Sequence, residues 1–239
     1  MSADEPILQV DALDAFYGRA QVLFDVALSV GPGEVVALLG RNGAGKSTTM
    51  KALMGMLSGT RGKVVLRGQD ISGMPSHRIA RMGMAYVPEE RRIFTDLSVL
   101  QNLEVGRQPP RAGAVNWTVQ QLFALFPNLG EMPQRAGGQM SGGEQQMLTV
   151  ARSLMGNPYL LLLDEPSEGV APLIVEQMAQ MILQLKRAGM AILLSEQNLL
   201  FAAQVSDRAY VLDNGQVRHQ AGMQDVLNDE VVRRAYLAV

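Results

Sequence analysis

Cysteine is missing from the 239 residues of this chain, which excludes disulfides and thiolate metal sites and is compatible with a reducing cytosol. A surplus of one charge is missing as well: 21 lysines and arginines face 23 aspartates and glutamates, a net −2. That balance creates no field favouring nucleic acid, so no nucleic-acid partner is expected. Long apolar runs are also lacking. The longest aliphatic stretches, such as Val35 to Leu39 and Leu160 to Leu163, fall far short of the roughly 20 residues a membrane-spanning helix needs. The opening MSADEPILQV is acidic and has neither the basic start nor the apolar run of a signal peptide. A soluble protein is expected, with any membrane role reached through a partner.

Apolar material, by contrast, is plentiful: 47% of residues are hydrophobic and 18% charged, enough for a buried core and unlike a disordered chain. The opening segment reads as short strands joined by turns. Val26, Leu28 and Val30 alternate with Asp25, Ala27 and Ser29, a half-buried strand pattern. After the turn at Gly31-Pro32-Gly33, Val35 to Leu39 form a continuous run that suits a central parallel strand covered on both faces. Met50, Leu53, Met54 and Leu57 then make one helical stripe. Ala85 to Val87, Leu160 to Leu163, Ala191 to Leu194 and Tyr210 to Leu212 are further buried strands. Ile174, Met178, Met181, Ile182 and Leu185 mark a helix that Lys186, Arg187 and Gly189 close. Residues 90–155 hold a Pro/Gly/Arg-rich break and helical patterns with no buried strand. They read as a helical insertion in an α/β core formed by 1–89 and 156–239, all within a single domain.

Gly40-Arg41-Asn42-Gly43-Ala44-Gly45-Lys46-Ser47 matches G-x-x-x-x-G-K-[ST] in full, with Thr48 next in the helix. Glycines let backbone N–H groups curve around phosphate oxygens, and the helix behind adds its free N–H groups and positive dipole end. Lys46 can neutralise β/γ charge, and Ser47 can offer its hydroxyl to Mg²⁺. Leu160 to Leu163 run into Asp164 and Glu165. Two carboxylates ending a buried strand should emerge at the sheet's carboxyl edge, where open α/β sheets bind ligands. Asp164 can hold Mg²⁺ and Glu165 can polarise an attacking water.

Ser141-Gly142-Gly143-Glu144 opens a second helix, a further anion-binding terminus. With this stretch the sequence resembles the ABC-transporter ATPase family, whose signature is Leu-Ser-Gly-Gly-Gln. The resemblance implies a P-loop NTPase (RecA-like) α/β core, an N-terminal antiparallel β subdomain and a helical signature subdomain. It implies ATP and Mg²⁺ clamped between the phosphate loop of one subunit and Ser141 to Glu144 of another. It places Tyr17 on adenine, Glu89 at the family's Gln-loop, Glu168 to Ala171 at the D-loop and Gln197 at the switch histidine. More narrowly, the chain is similar to the smaller ATPase subunit of branched-chain amino-acid (Liv-type) importers. That likeness rests on phrases such as Val87-Pro88-Glu89, Ser195-Glu196-Gln197-Asn198 and Arg234-Ala235-Tyr236-Leu237. It implies a peripheral position on the cytoplasmic face of the inner membrane, two permease subunits, a second ATPase subunit and, indirectly, a solute-binding protein.

Glu89, Glu144 and Gln197 depart from the general family, and Glu168 stands where Liv-type subunits generally carry an apolar residue. A glutamine at 197 can position groups but cannot titrate near neutral pH as histidine does. Urea or amides remain open as solutes, as do a soluble ABC ATPase or a nucleotide sensor as the role.

Overall fold

The computed structural model describes residues 5–237; the acidic start, Met1 to Asp4, lies outside them. Two long strands, β1 (Leu8–Tyr17) and β2 (Ala20–Val30), pair antiparallel. Then follow β3 (Val35–Leu39), α1 (Lys46–Leu53), β4 (Gly59–Leu66), the short β5 (Gln69–Asp70), α2 (Ser76–Arg81) and β6 (Met84–Val87). Four helices come next: α3 (Val99–Gly106), α4 (Val119–Leu125), α5 (Pro127–Glu131) and α6 (Gly142–Leu154). The chain returns through β7 (Leu160–Asp164), α7 (Pro172–Arg187), β8 (Ala191–Glu196), α8 (Leu199–Val205), β9 (Arg208–Asp213) and β10 (Gln216–Gly222). It closes with α9 (Met223–Asn228), α10 (Glu230–Val232) and a π-helical turn, Arg233–Leu237.

The continuous aliphatic runs sit at the centre of a six-stranded sheet of order β10-β9-β3-β8-β7-β6, parallel except for β10 against β9. Alternation explains why they carry no polar residue: each strand has two apolar faces to fill. Leu160 and Leu162 of β7 point into a core shared with α1 and the second, antiparallel sheet, β2-β1-β4-β5. Leu161 and Leu163 point into the opposite core, against α6 and α7. Arg208 at the head of β9 joins the two sheets. Its guanidinium meets Glu34 at 2.6 Å and donates to the Ser29 carbonyl at 2.7 Å.

The opening segment holds two strands of 10 and 11 residues rather than several short ones. Register shifts between Val10 and Phe16 interrupt the alternation, and Ala12 and Asp25 adopt positive φ there. A bulge flips the face on which later side chains fall, so one bent strand reads as pieces. Helix α1 is also shorter than its apolar stripe, and Leu57 lies beyond it. Gly55 (φ +62°) ends the turn so close to Met74 that a Cβ would sit 2.2 Å from its carbonyl oxygen.

Candidate active site

Between β3 and α1 the chain makes the loop Gly40 to Gly45. Gly45 N-caps α1 with φ +111°, and no side chain caps the helix, so its first N–H groups remain free for an anion. Gly40 is glycine for another reason: a Cβ would lie 2.4 Å from the Leu212 carbonyl oxygen on β9. Lys46 is 3% exposed. Its ammonium donates to the carbonyls of Gly40 at 2.8 Å and Arg41 at 3.1 Å, and pairs with Glu165 Oε1 at 3.0 Å.

The neighbouring parallel register sets Asp164 of β7 beside Ser195 of β8. Three hydroxyls converge on the buried Asp164 carboxylate. Ser195 donates at 2.6 Å, Ser47 at 3.1 Å and Tyr86 at 2.8 Å. A carboxylate has two oxygens and several lone pairs, so it can accept all three of these bonds at once. Burial and then the Asp164 charge push the Tyr86 hydroxyl far up, which keeps it a donor. Ser195 Oγ also accepts the Glu165 N–H, at 3.2 Å.

Glu165 adopts φ +45°, uncommon for a residue with a Cβ and a mark of strain held by its surroundings. Burial pushes its carboxyl upward, yet hydrogen bonds from Glu168 and Lys46, with the Lys46 charge, outweigh burial and hold it below the ordinary glutamate range. Glu168 moves the opposite way. Its bond to Glu165, then burial and the charges of Glu165 and Glu89, raise it to about 7. The two carboxyls therefore share a proton near neutral pH, with the charge kept on Glu165.

Lys46, Ser47, Glu165 and Glu168 line one cleft of about 540 Å³, with Asp164 buried behind Ser47. Its walls are Asn42, Gly43, Gly45, Lys46, Ser47 and Thr48 of the loop and α1, Glu89, Glu165 and Glu168, and, from elsewhere, Gln21, Val22, Phe24, Asn214 and Gly215. Gly40, Arg41 and Ala44 supply loop backbone behind that wall, and Ala44 accepts the Gly215 N–H at 2.8 Å. Gly215 in turn accepts the Phe24 N–H at 2.9 Å. Tyr17 is not in the wall; it stands at the end of β1, 49% exposed, and half-exposed Phe24 on β2 is the aromatic that faces the cleft. Gln197 is exposed and lies outside the wall.

Ser141 to Glu144 also lie apart from this cleft. Ser141 N-caps α6 in a capping box: Glu144 Oε2 accepts the Ser141 N–H at 2.7 Å, and Ser141 Oγ accepts the Glu144 N–H at 3.4 Å. Among the described residues, the Ser141 hydroxyl donates to no acceptor. Gly142 is pressed by the Arg91 guanidinium and Gly143 by Ile174, at 2.4 Å and 2.7 Å from where a Cβ would be. As for a metal, no group of three or more histidine, cysteine, aspartate or glutamate side chains is arranged to hold one among the described residues. Ser47 and Asp164 do bring two hard oxygens together, which suits Mg²⁺ once phosphate oxygens complete the shell.

Ser195, Tyr86 and Phe24 were missed by sequence reasoning. Ser195 and Tyr86 carried a signal: Tyr86 is the lone hydroxyl of an otherwise apolar strand, and Ser195 directly follows the apolar run Ala191 to Leu194.

A glycine loop opening a helix, beside a strand ending in two carboxylates on a mainly parallel sheet, defines a P-loop nucleoside triphosphatase. The profile of the ABC transporter family matches residues 23–168. The chain is 44% identical over 232 residues to the high-affinity branched-chain amino acid transport ATP-binding protein BraG of Pseudomonas aeruginosa, spanning 97% of this chain and 99% of that one. It is 36% identical over 239 residues to the lipopolysaccharide export system ATP-binding protein LptB of Haemophilus influenzae, with 97% of each covered. Among solved structures, the ADP conformation of an ATP-binding cassette of an ABC transporter matches with a TM-score of 0.81 at 27% identity, covering 96% of this chain and 98% of that one. The chain belongs to the ABC transporter ATPase family. It is an ATP-binding cassette, a kind of protein that hydrolyses ATP to drive transport and generally works as a dimer with membrane permeases. No described helix is long and apolar enough to cross a membrane.

Proposed function

We propose that this chain energises the import of branched-chain amino acids or related small solutes, from the cytoplasmic face of a membrane. The observation that carries the solute class is the 44% identity to BraG over nearly the full length of both chains. The partners on this reading are two permease subunits, a second ATPase subunit and, indirectly, a solute-binding protein. A second reading, lipopolysaccharide export, has the 36% identity to LptB in its favour. Uptake of radiolabelled leucine by cells with and without the gene separates them. Lost uptake supports import; intact uptake with a failing outer membrane overturns it.

For the chemistry, the triphosphate lies along the loop Gly40 to Gly45, its oxygens met by the free N–H groups at the start of α1 and by Lys46. Phe24 borders the cleft and Tyr17 stands exposed at the end of β1; both present ring faces suited to the base. Bound Mg²⁺ would be held by Ser47, Asp164 and, through water, Glu89, and would neutralise phosphate charge. Phosphate competes with Glu165 for the Lys46 ammonium, so nucleotide binding frees the carboxylate to take a proton from water. Gln197 orients that water or the γ-phosphate through its amide. Ser141, Gly142 and Gly143 of a second subunit add donors from across the interface, Glu144 serving as their cap. Replacing Glu165 by glutamine tests the base directly: ATP should still bind while turnover stops, and undiminished turnover would refute the assignment.

A further inference from the structure

Glu196 is the last residue of β8 and only 1% exposed, and no step above uses it. Its neighbour Ser195 serves Asp164, and alternation along the strand sends Glu196 to the other face. There both carboxylate oxygens are engaged. Oε1 accepts the Ser167 N–H at 3.1 Å, and Oε2 accepts the Asn198 N–H at 3.2 Å. A buried carboxylate needs compensation, and among the described residues no lysine or arginine pairs with this one. Two backbone N–H groups from two different loops supply it. Burial pushes its carboxyl upward, and the Ser167 side chain together with those N–H groups pulls it back only in part.

The places of the two donors give the contact its meaning. Ser167 lies two residues after Glu165 in the loop leaving β7, and Glu168 follows it. Asn198 lies one residue after Gln197 and N-caps α8, its side chain accepting the Phe201 N–H at 3.1 Å. We propose that Glu196 is a positioning residue: it clamps the loop of the base Glu165 to the segment carrying Gln197, so that the two loops flank the triphosphate at one fixed spacing. The inference rests on the roles given above to Glu165 and Gln197.

Glu196→Gln keeps length and volume but exchanges one acceptor oxygen for an amide NH₂. That NH₂ must face a backbone N–H, donor against donor, so one of the two bonds breaks. Glu196→Asp keeps both acceptors and retracts them by a methylene. In the purified full chain, Glu196→Gln should lower kcat by about tenfold or more with the KM for ATP little changed, as a misplaced catalytic group does. Glu196→Asp should recover part of the loss. Amide exchange supplies a readout independent of turnover: in the unmodified chain ATP should slow the Ser167 and Asn198 amides together, and in Glu196→Gln they should respond separately. If one amide responds without the other in the unmodified chain, the clamp does not exist. If kcat survives Glu196→Gln, or falls only as far as thermal unfolding removes folded protein, the clamp positions nothing. Glu165→Gln measured alongside keeps the failures apart. Turnover by that variant sinks the base, whereas a dead Glu165→Gln beside a fully active Glu196→Gln sinks the clamp alone.

Discussion

Lys46 and Glu165 hold each other at 3.0 Å in a pocket that exposes neither by more than 8% of its side chain, and the pair acts on Glu168 beside it. Lys46→Ala should weaken ATP binding itself, measured by calorimetric titration, because the loop loses its only ammonium. The same change removes the charge that holds Glu165 down, so Glu165 should titrate upward. Glu165→Gln should leave ATP affinity nearly intact and lower turnover by about 10²-fold or more, the range of a lost general base. Glu168 gives the pH dependence. Its carboxyl is raised from 4.5 to about 7 in the folded chain, so native protein holds a proton there that unfolded protein releases. Its contribution to stability is complete below pH 4.5 and is lost as pH rises through 7. Glu168→Gln should therefore flatten the fall in melting temperature over that window. Because Glu168 is exposed, high salt should shrink the effect.

Strands and helices carry the next set of demands. β7 buries leucines on both faces and ends in Asp164, with Glu165 the next residue, so its core and its chemistry are contiguous. Leu162→Ala should cost about 2–5 kcal/mol by chemical denaturation, as buried leucine truncations do, without altering the KM for ATP in the folded fraction. At α6, Ser141→Ala should cost about 1 kcal/mol through the lost cap alone. The elements whose physics is local were legible in the sequence: the glycine loop, the leucine strand with its acidic end, and α7 with its basic last turn. The bulged β1–β2 ribbon was not, because its register shifts depend on pairing partners that a single strand does not reveal. Within the site, Lys46, Ser47, Asp164 and Glu165 announced themselves by type and spacing. Phe24 and Gly215 come together only because β2 and the β9–β10 turn meet in space, and Ser195 reaches Asp164 only through the register of β7 with β8.

Across the whole molecule, the anion-ready turn of Ser141 lies outside the walls of the cleft that holds Lys46. On the proposed mechanism this turn meets a nucleotide held by another subunit, so Glu165→Gln with ATP should sediment as a dimer, and the same variant without ATP should not. The hairpin turn at Gly215 bears on a different question, that of size. It receives Phe24 on one side and holds Ala44 of the phosphate loop on the other, and a Cβ there would stand 2.0 Å from the Val22 carbonyl oxygen. The turn thus fixes the spacing between Phe24 and the phosphate loop, and on the proposed mode of binding it works as a ruler for how far apart a base and its terminal phosphate can be gripped. Widening it with Gly215→Ala should loosen whole nucleotides far more than free pyrophosphate, which touches only one end of the scale.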